Sequence, residues 1–405
     1  PPETWQTSIT VPIWKDKGDV NDCSNYKLLC HTMKIFERVL DAQLRTIIDI
    51  SPNQCSFVKN CRTIDAARLL MERHHEKRKT IHMAFHNLEK AFDRVPHNLI
   101  WLALRQRHVP EAYVSWIKLL YREATSSVRC VCMDTVTKDI QTRRPWTLLY
   151  ANDVMIASET QHGLEQQVQE WKMRLERFGM KLNIQKTEYL ECGDQTDGTI
   201  AAGGVQLNKV TQFKYLGSCV NSDCATLQDA KTRVSAAWMK WRQVTGVLCD
   251  KKIPLRLKSK VYRSVVRPVA LYGTECWPTT KKHEQALHMM EMKMLRWTLG
   301  LTRLDHVMNE EVRKTPKVVP ITEKMRELRL RWYGHVLRSN DTLMAETALE
   351  LNVEGCRPRG RPFTRWLDRL KDNTRLAKVT CRDAADRTKW KNRCKQADST
   401  QVGKM

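Results

Sequence analysis

"TLLYANDVMIASE", Thr147 to Glu159, restricts the fold of this chain more than any other stretch. Two apolar runs flank the polar pair Asn152 and Asp153, the pattern of a β-hairpin with buried strands and a polar tip. Upstream, "TIHMAFHNL" reads as a further strand, followed by helical runs bounded by Pro96 and Pro110 and by a short helix before the hairpin. That order predicts an α+β domain over roughly 81–160. The tip also raises a chemical question. A carboxylate beside an amide is ordinary turn chemistry, because both side chains tolerate left-handed backbone, or it is what remains of a metal site.

The flanking regions are folded too. In "HTMKIFERVLDAQLRTIIDI", Met33, Phe36, Leu40 and Leu44 make one apolar helical stripe, and "SITVPIW" reads as a short strand. "HGLEQQVQEWKMRLERFGM" places Leu164, Val168, Trp171, Leu175 and Phe178 on one helix face, ended by Gly179. A short strand in "KLNIQKTEYLEC" and a hairpin-like "VTQFKYLGSCV" follow, with "QTDGTIAAGG" as an insertion between strands. From about 231 the pattern is almost wholly helical, which suggests a second, helical domain.

Charge narrows the partner. The formal net charge is +24 over 405 residues, so a polyanion is the expected ligand, bound by neutralising phosphates and releasing counterions. Residues 231–271 hold eleven Lys or Arg against the single acid Asp250. Lys231, Arg233, Lys240, Arg242, Lys251, Lys252, Arg256, Lys258 and Lys260 are the candidate nucleic-acid contacts, flanking a stripe of Val234, Trp238, Trp241, Val244 and Leu248. The plainer alternative is a solvated helix face. With no run of eighteen apolar residues and an opening "PPETWQTSITVPIW" that lacks a signal peptide or an initiating Met, the expectation is a soluble chain that begins mid-protein and does not partner a membrane. Nuclear and cytoplasmic locations both stay open, and protein partners are unknown. The fourteen Cys contain no CxxC pair and read as reduced, packed thiols.

"AFHNLEKAFDRV" and "LLYANDVM" together resemble motifs A and C of the reverse transcriptases of non-LTR retrotransposons, of the RTE-like kind. "RFGMKLNIQKTEYL" is similar to motif D, "FKYLGS" to the primer grip, and "RLRWYGHVLR" to the tail of such elements. The resemblance implies a right-hand polymerase: fingers-like region over 1–80, palm over 81–218, helical basic thumb over 219–300 and a helical basic C-terminal region over 301–405. It also implies RNA and DNA as partners, Mg²⁺ as cofactor and RNA-directed DNA synthesis as the ancestral activity. Two Mg²⁺ ions would activate the primer hydroxyl and stabilise the leaving pyrophosphate, and such hard ions need anionic oxygens from adjacent strand ends.

This sequence departs from that pattern where it matters. Motif A carries Asn87 and the first motif C position is Asn152, leaving Asp153 as the one surviving carboxylate and candidate metal ligand. Glu89 and Asp93 lie nearby, but the family's chain turns after motif A, and Asp93 suits a helix cap better. Phe92 matches the steric gate, and Lys186 matches a motif D cation able to approach the pyrophosphate; both also read as core aromatic and solvated Lys. Phe213, Tyr215, Leu216 and Gly217 are the primer-grip-like set. "SSVRC" runs directly into "VCMDTVTKDIQ", so the "QG" loop and half of the following template-gripping helix are missing by comparison with the family. What remains, Val131 to Gln141, is about three turns or roughly 16 Å of helix. His86 stands where the family has an aliphatic residue, a polar burden if it faces the core.

The expectation is therefore an element-derived copy with negligible polymerase activity. The alternative is a non-catalytic nucleic-acid-binding module, and a residual polymerase is the remote one. "RPRGRP" resembles an AT-hook core: prolines keep it extended, Gly360 permits close approach, and Arg359 with Arg361 would enter a narrow A·T minor groove. A basic turn between helices is the simpler reading of the same residues.

Overall fold

The computed structural model describes residues 11–14, 26–29, 31–48, 51, 53–55, 63–88, 95–123, 129–143, 145–150, 153–338, 344–357, 359 and 364–395. The chain divides into two compact units, each assembled from several stretches of sequence.

The first unit comprises 1–54, 88–141 and 170–182. Its strands β1 (Val11–Trp14) and β2 (Tyr26–Leu29) pair antiparallel, and α1 (His31–Ile47) follows, with Leu40 and Leu44 buried. The second unit contributes α2 (Thr63–Glu76) and β3 (Ile81–Asn87) before the chain returns to the first. There α3 (His97–Gln106), α4 (Glu111–Glu123) and α5 (Arg129–Thr137) bury Leu99, Ile100, Val114, Ile117, Met133 and Val136. The shortened helix expected from Val131 is thus α5 plus a turn to Ile140. Buried Asp134 organises it, pairing with Arg107 at 2.7 Å and accepting the Ser51 amide at 2.9 Å. A buried carboxylate needs such partners, because leaving one charge unpaired there is costly.

The second unit holds the sheet. β4 (Thr147–Tyr150) and β5 (Asp153–Ser158) form the expected hairpin, and α6 (Gln161–Arg177), whose residues from 170 onward count with the first unit, follows with Leu164, Val168, Trp171 and Leu175 buried. Gly179, at φ +75°, ends that helical run in the left-handed conformation a side chain would resist. β6 (Glu188–Cys192) and β9 (Asn208–Val210) complete a five-stranded sheet of order β4-β5-β3-β6-β9, in which the β6–β9 pair is parallel and the others antiparallel. The insertion between them makes a minimal hairpin of β7 (Ala201–Ala202) and β8 (Val205–Gln206). β10 (Gln212–Tyr215) and β11 (Ser218–Asn221) form a separate antiparallel hairpin.

Beyond it the unit is helical: α7 (Leu227–Gln243), α8 (Leu255–Val261), α9 (Lys281–Leu299), α10 (Ile321–Val336), α11 (Met344–Glu350), α12 (Trp366–Ala377) and α13 (Arg387–Cys394). Two cores result. One joins Met83, Phe85, Met155 and Leu190 of the sheet with Leu70 of α2 and with Leu330, Trp366, Leu370 and Trp390 of the C-terminal helices. The other packs Trp241, Tyr262, Val266, Leu287, Met294 and Leu295 among α7, α9 and the segment between. Trp238 and Val244 of the expected α7 stripe are partly buried against it. Cys55 corrects the reading of uniformly reduced thiols, since it is disulfide-bonded.

Candidate functional site

β3 is the central strand, and its register decides what its end can do. Asn87, its last residue, pairs directly with Asp153, the first residue of β5, which in turn pairs with Tyr150 of β4. Opposed residues of this kind have Cα atoms about 4.5 to 5.5 Å apart. The two positions expected to share chemistry are therefore neighbours on adjacent strand ends. Asn152, Phe92, Glu89 and Asp93 lie outside the described residues, as does Arg361.

Asp153 is half-buried, on the sheet face it shares with buried Met155 and Ala157. The β10–β11 hairpin contributes to the same face. Phe213 stacks on Phe85 with ring centroids 4.2 Å apart, and Tyr215 lies 5.2 Å from Phe85. Burial, against a hydrogen bond with Thr63 that lowers it and with a smaller contribution from the Asp153 carboxylate, holds the Tyr215 phenol well above the usual range. So the primer-grip-like aromatics reach the carboxylate's surroundings.

Their turn is tied down from several sides. Leu216 at φ +46° and Gly217 at φ +82° make a two-residue connection of the kind that matches strand twist, with Leu216 in a conformation unfavourable for a branched side chain. The Leu216 carbonyl accepts the Tyr272 hydroxyl at 3.0 Å, and the Gly217 carbonyl accepts the Arg233 guanidinium. Arg233 also donates to Ser218 Oγ at 3.2 Å and lies 4.5 Å over the Tyr272 ring. This corrects its expected role: Arg233 is buried, and its cation is held between the turn and the Asp229 carboxylate, 3.8 Å away. Lys258 is corrected likewise, because its helix position turns it into the core and leaves it 6% exposed.

The rest of the basic set faces solvent. Lys231, Arg242, Lys251, Lys252, Arg256 and Lys260 are exposed, and Lys240 is half-buried against Gln243 at 3.1 Å. Arg359 is exposed. Lys186 is exposed on a 3₁₀ turn, Ile184–Lys186, rather than on the expected strand; Asn183 Oδ1 accepts its amide at 3.2 Å.

Sequence reasoning missed a buried clamp. Arg68 of α2 pairs with Asp229 of α7, whose carboxylate also accepts the Cys219 amide at 2.8 Å and Trp277 Nε1 at 3.2 Å. Arg329 of α10 donates to the Trp277 carbonyl at 3.0 Å. No local spacing announces a pair 161 positions apart.

The aligned strand ends supply one carboxylate, with amides at the two other positions, and among the described residues no group of three His, Cys, Asp or Glu could hold a metal ion.

Strand order, the registered pair at Asn87 and Asp153, and the aromatic hairpin beneath it are the frame of a nucleic-acid polymerase domain, and residues 15–220, just over half of the chain, match the family Reverse transcriptase (RNA-dependent DNA polymerase); the chain belongs to that family. Its relatives place it among proteins of non-LTR retrotransposons. It is 26% identical over 252 residues to a transposon-derived protein of Caenorhabditis elegans, covering 58% of this chain and 86% of that one. It is 20% identical to the RNA-directed DNA polymerase from mobile element jockey of Drosophila melanogaster, covering 91% of this chain and 45% of that one. The polymerase from transposon BS of the same fly is also 20% identical, over 73% of this chain and 38% of its own length. The chain thus spans less than half of the two fly polymerases it matches. A telomerase structure from Candida albicans aligns with a TM-score of 0.31 at 10% identity, over 87% of this chain and 66% of that one.

Proposed function

We propose that this reverse-transcriptase-like chain no longer polymerises and acts, where it acts, by binding RNA or DNA. The observation that carries the reading is the registered pair of Asn87 and Asp153. The frame of the site persists while its charge does not. Amide oxygens can touch Mg²⁺, yet two formal charges are gone from a place that must hold two dications beside a triphosphate. Losing one group that stabilises transition-state charge costs about 10²- to 10³-fold in other enzymes, and two lost ligands cost more. In this reading the sheet is the palm, the segment before it the fingers, and the basic helices from 219 to 300 the thumb. The shortened α5 adds a second loss, because by resemblance the missing segment grips the template.

The test is primer extension on a poly(rA) template with Mg²⁺. The expected outcome is incorporation at background. Extension that disappears in Asp153→Ala would overturn the reading.

Binding is carried by the exposed cations Lys231, Arg242, Lys251, Lys252, Arg256 and Lys260. Among the described residues no helix is long and apolar enough to cross a membrane, and the net charge of +24 favours a polyanion. "RPRGRP" would add A·T minor-groove contact through Arg359 and Arg361. A titration in which A/T-rich and G/C-rich duplexes bind equally removes that groove-specific component.

A further inference from the structure

One face of α2 presents Arg68, Glu72 and His75, and with Cys219, Asn221 and Cys224 they line a cavity of about 660 Å³ inside the second unit. The established family chemistry uses none of this. The turn after β11 brings Cys224 to the cavity wall: its amide donates to the Asn221 carbonyl at 3.0 Å, and its backbone is left-handed at φ +56°. From the other side comes Cys192, the last residue of β6, 1% exposed. Neighbouring backbone ties the two segments together, the Gly193 amide donating to the Ser222 carbonyl at 3.2 Å. Cys192 Sγ donates to the Asn221 carbonyl at 4.0 Å, the same carbonyl that accepts the Cys224 amide; Cys224 Sγ lies 4.0 Å from the Met71 carbonyl of α2, and His75 lines the cavity with it. Both thiols are free.

We propose that this cluster is a thiol–disulfide exchange site for a small-molecule disulfide, with Cys224 as the attacking thiol, His75 as its proton acceptor and Cys192 as the resolving thiol. The balance is simple. Cys224 gives its proton to His75 and attacks one sulfur of the small disulfide; that S–S bond breaks, and the departing thiolate takes up a proton. Cys192 then loses its proton and attacks the Cys224 sulfur, expelling the second small thiol. Two electrons pass from the two protein thiols to the small disulfide, which leaves as two thiols.

Three features favour this order. Cys192 Sγ and the Cys224 amide meet at the same Asn221 carbonyl, so the two cysteines are neighbours between which a bond of about 2.05 Å can form. Cys224 is partly exposed at an open cavity, whereas Cys192 is 1% exposed and does not line it. Hydrogen bonds from Cys192 first, and then from His75, pull the Cys224 thiol below the usual range against the opposing effects of burial and Asp223, while Cys192 is held well above it. Reactivity follows the thiolate, so the pair is polarised in the direction the exchange requires.

The full chain is incubated at neutral pH with limiting iodoacetamide and, separately, with excess oxidised glutathione, then mapped by peptide mass spectrometry. Cys224 is expected to alkylate about tenfold faster than the exposed Cys249, Cys356 and Cys381. Glutathione disulfide is expected to leave a Cys192–Cys224 crosslink, and in Cys192→Ser to leave one glutathione on Cys224. His75→Gln should slow Cys224 about tenfold without changing Cys249. First labelling at Cys249, Cys356 or Cys381 with Cys224 unmodified in the unsubstituted chain overturns the proposal, as does a crosslink from Cys224 to any other cysteine. Neither readout depends on polymerase activity or on nucleic acid.

Discussion

At the residue scale, Asn87 paired with Asp153 shows that the strand register persists where one of the expected carboxylates is an amide. Asn and Asp serve a tight turn almost equally, because both accept left-handed backbone and bond locally, so hairpin and register need no carboxylate to persist. Putting the charge back has calculable consequences. In Asn87→Asp/Asn152→Asp the adjacent strand ends would carry three carboxylates, and like charges that close disfavour joint ionisation. The double variant should melt below the unsubstituted chain without divalent metal and gain several degrees in millimolar Mg²⁺, since a ligand that binds only the folded state stabilises it. The unsubstituted chain should gain little. Primer extension should stay at background, because the shortened segment before the hairpin does not return with the charges. Thermal melts with and without Mg²⁺ decide the first point; an equal Mg²⁺ response in both proteins would contradict it.

At the scale of elements, the sequence exposed whatever a local period encodes. The hairpin at 147–158, the strand ending at Asn87 and the buried stripe of α6 all follow from alternation or from 3.6-residue spacing. Arg233 shows where that ends. On α7 it flanks the apolar stripe just as Lys231 does, and only the approach of the β10–β11 turn makes one a clamp and leaves the other in solvent. The clamp can be tested by removal. Arg233→Ala leaves the Gly217 carbonyl without its guanidinium and should cost about 1 to 3 kcal/mol. Asp229→Ala, which strips buried Arg68 of its counter-charge, should cost about 3 to 5 kcal/mol. Urea midpoints rank the two, and the reverse order would show the Arg68 pair to be the lesser element. The solvent-facing cations behave differently. Lys251→Ala/Lys252→Ala should leave stability unchanged and make the slope of log K against log salt shallower by about 2, because each phosphate that a lysine ceases to neutralise takes about one unit from it. An unchanged slope would place the nucleic acid elsewhere.

At the scale of the whole molecule, residues far apart in sequence are held to one core, and two titrating groups within the second unit, half-buried Glu72 and buried His86, oppose each other. Trp366, Leu370 and Trp390 share a cluster with Phe85 and Met155, a partnership no local spacing encodes. Glu72 of α2 accepts the Trp366 amide at 2.6 Å, and burial pushes its carboxyl from 4.5 up to about 7. His86 of β3 is 2% exposed, and burial pushes its ring from 6.5 down to about 4. Each displacement corresponds to about 3 kcal/mol. For His86 the folded state refuses a proton that the unfolded chain accepts, so stability is lost as pH falls from 6.5 to 4. For Glu72 the folded state keeps a proton that the unfolded chain releases, so stability is lost as pH rises from 4.5 to 7. Between 4.5 and 6.5 the two slopes cancel. His82, His283, His288 and His335 are also held low, chiefly by burial, so the comparison is variant against unsubstituted chain at each pH, where their contributions drop out. Relative to the unsubstituted chain, His86→Leu should gain stability steadily as pH falls from 6.5 to 4.5, by about 2 to 3 kcal/mol across the window. Glu72→Gln, which can still accept the Trp366 amide, should lose a similar amount over the same interval. Urea unfolding at three pH values within the window measures both, and profiles parallel to that of the unsubstituted chain would mean that neither group titrates as its burial requires.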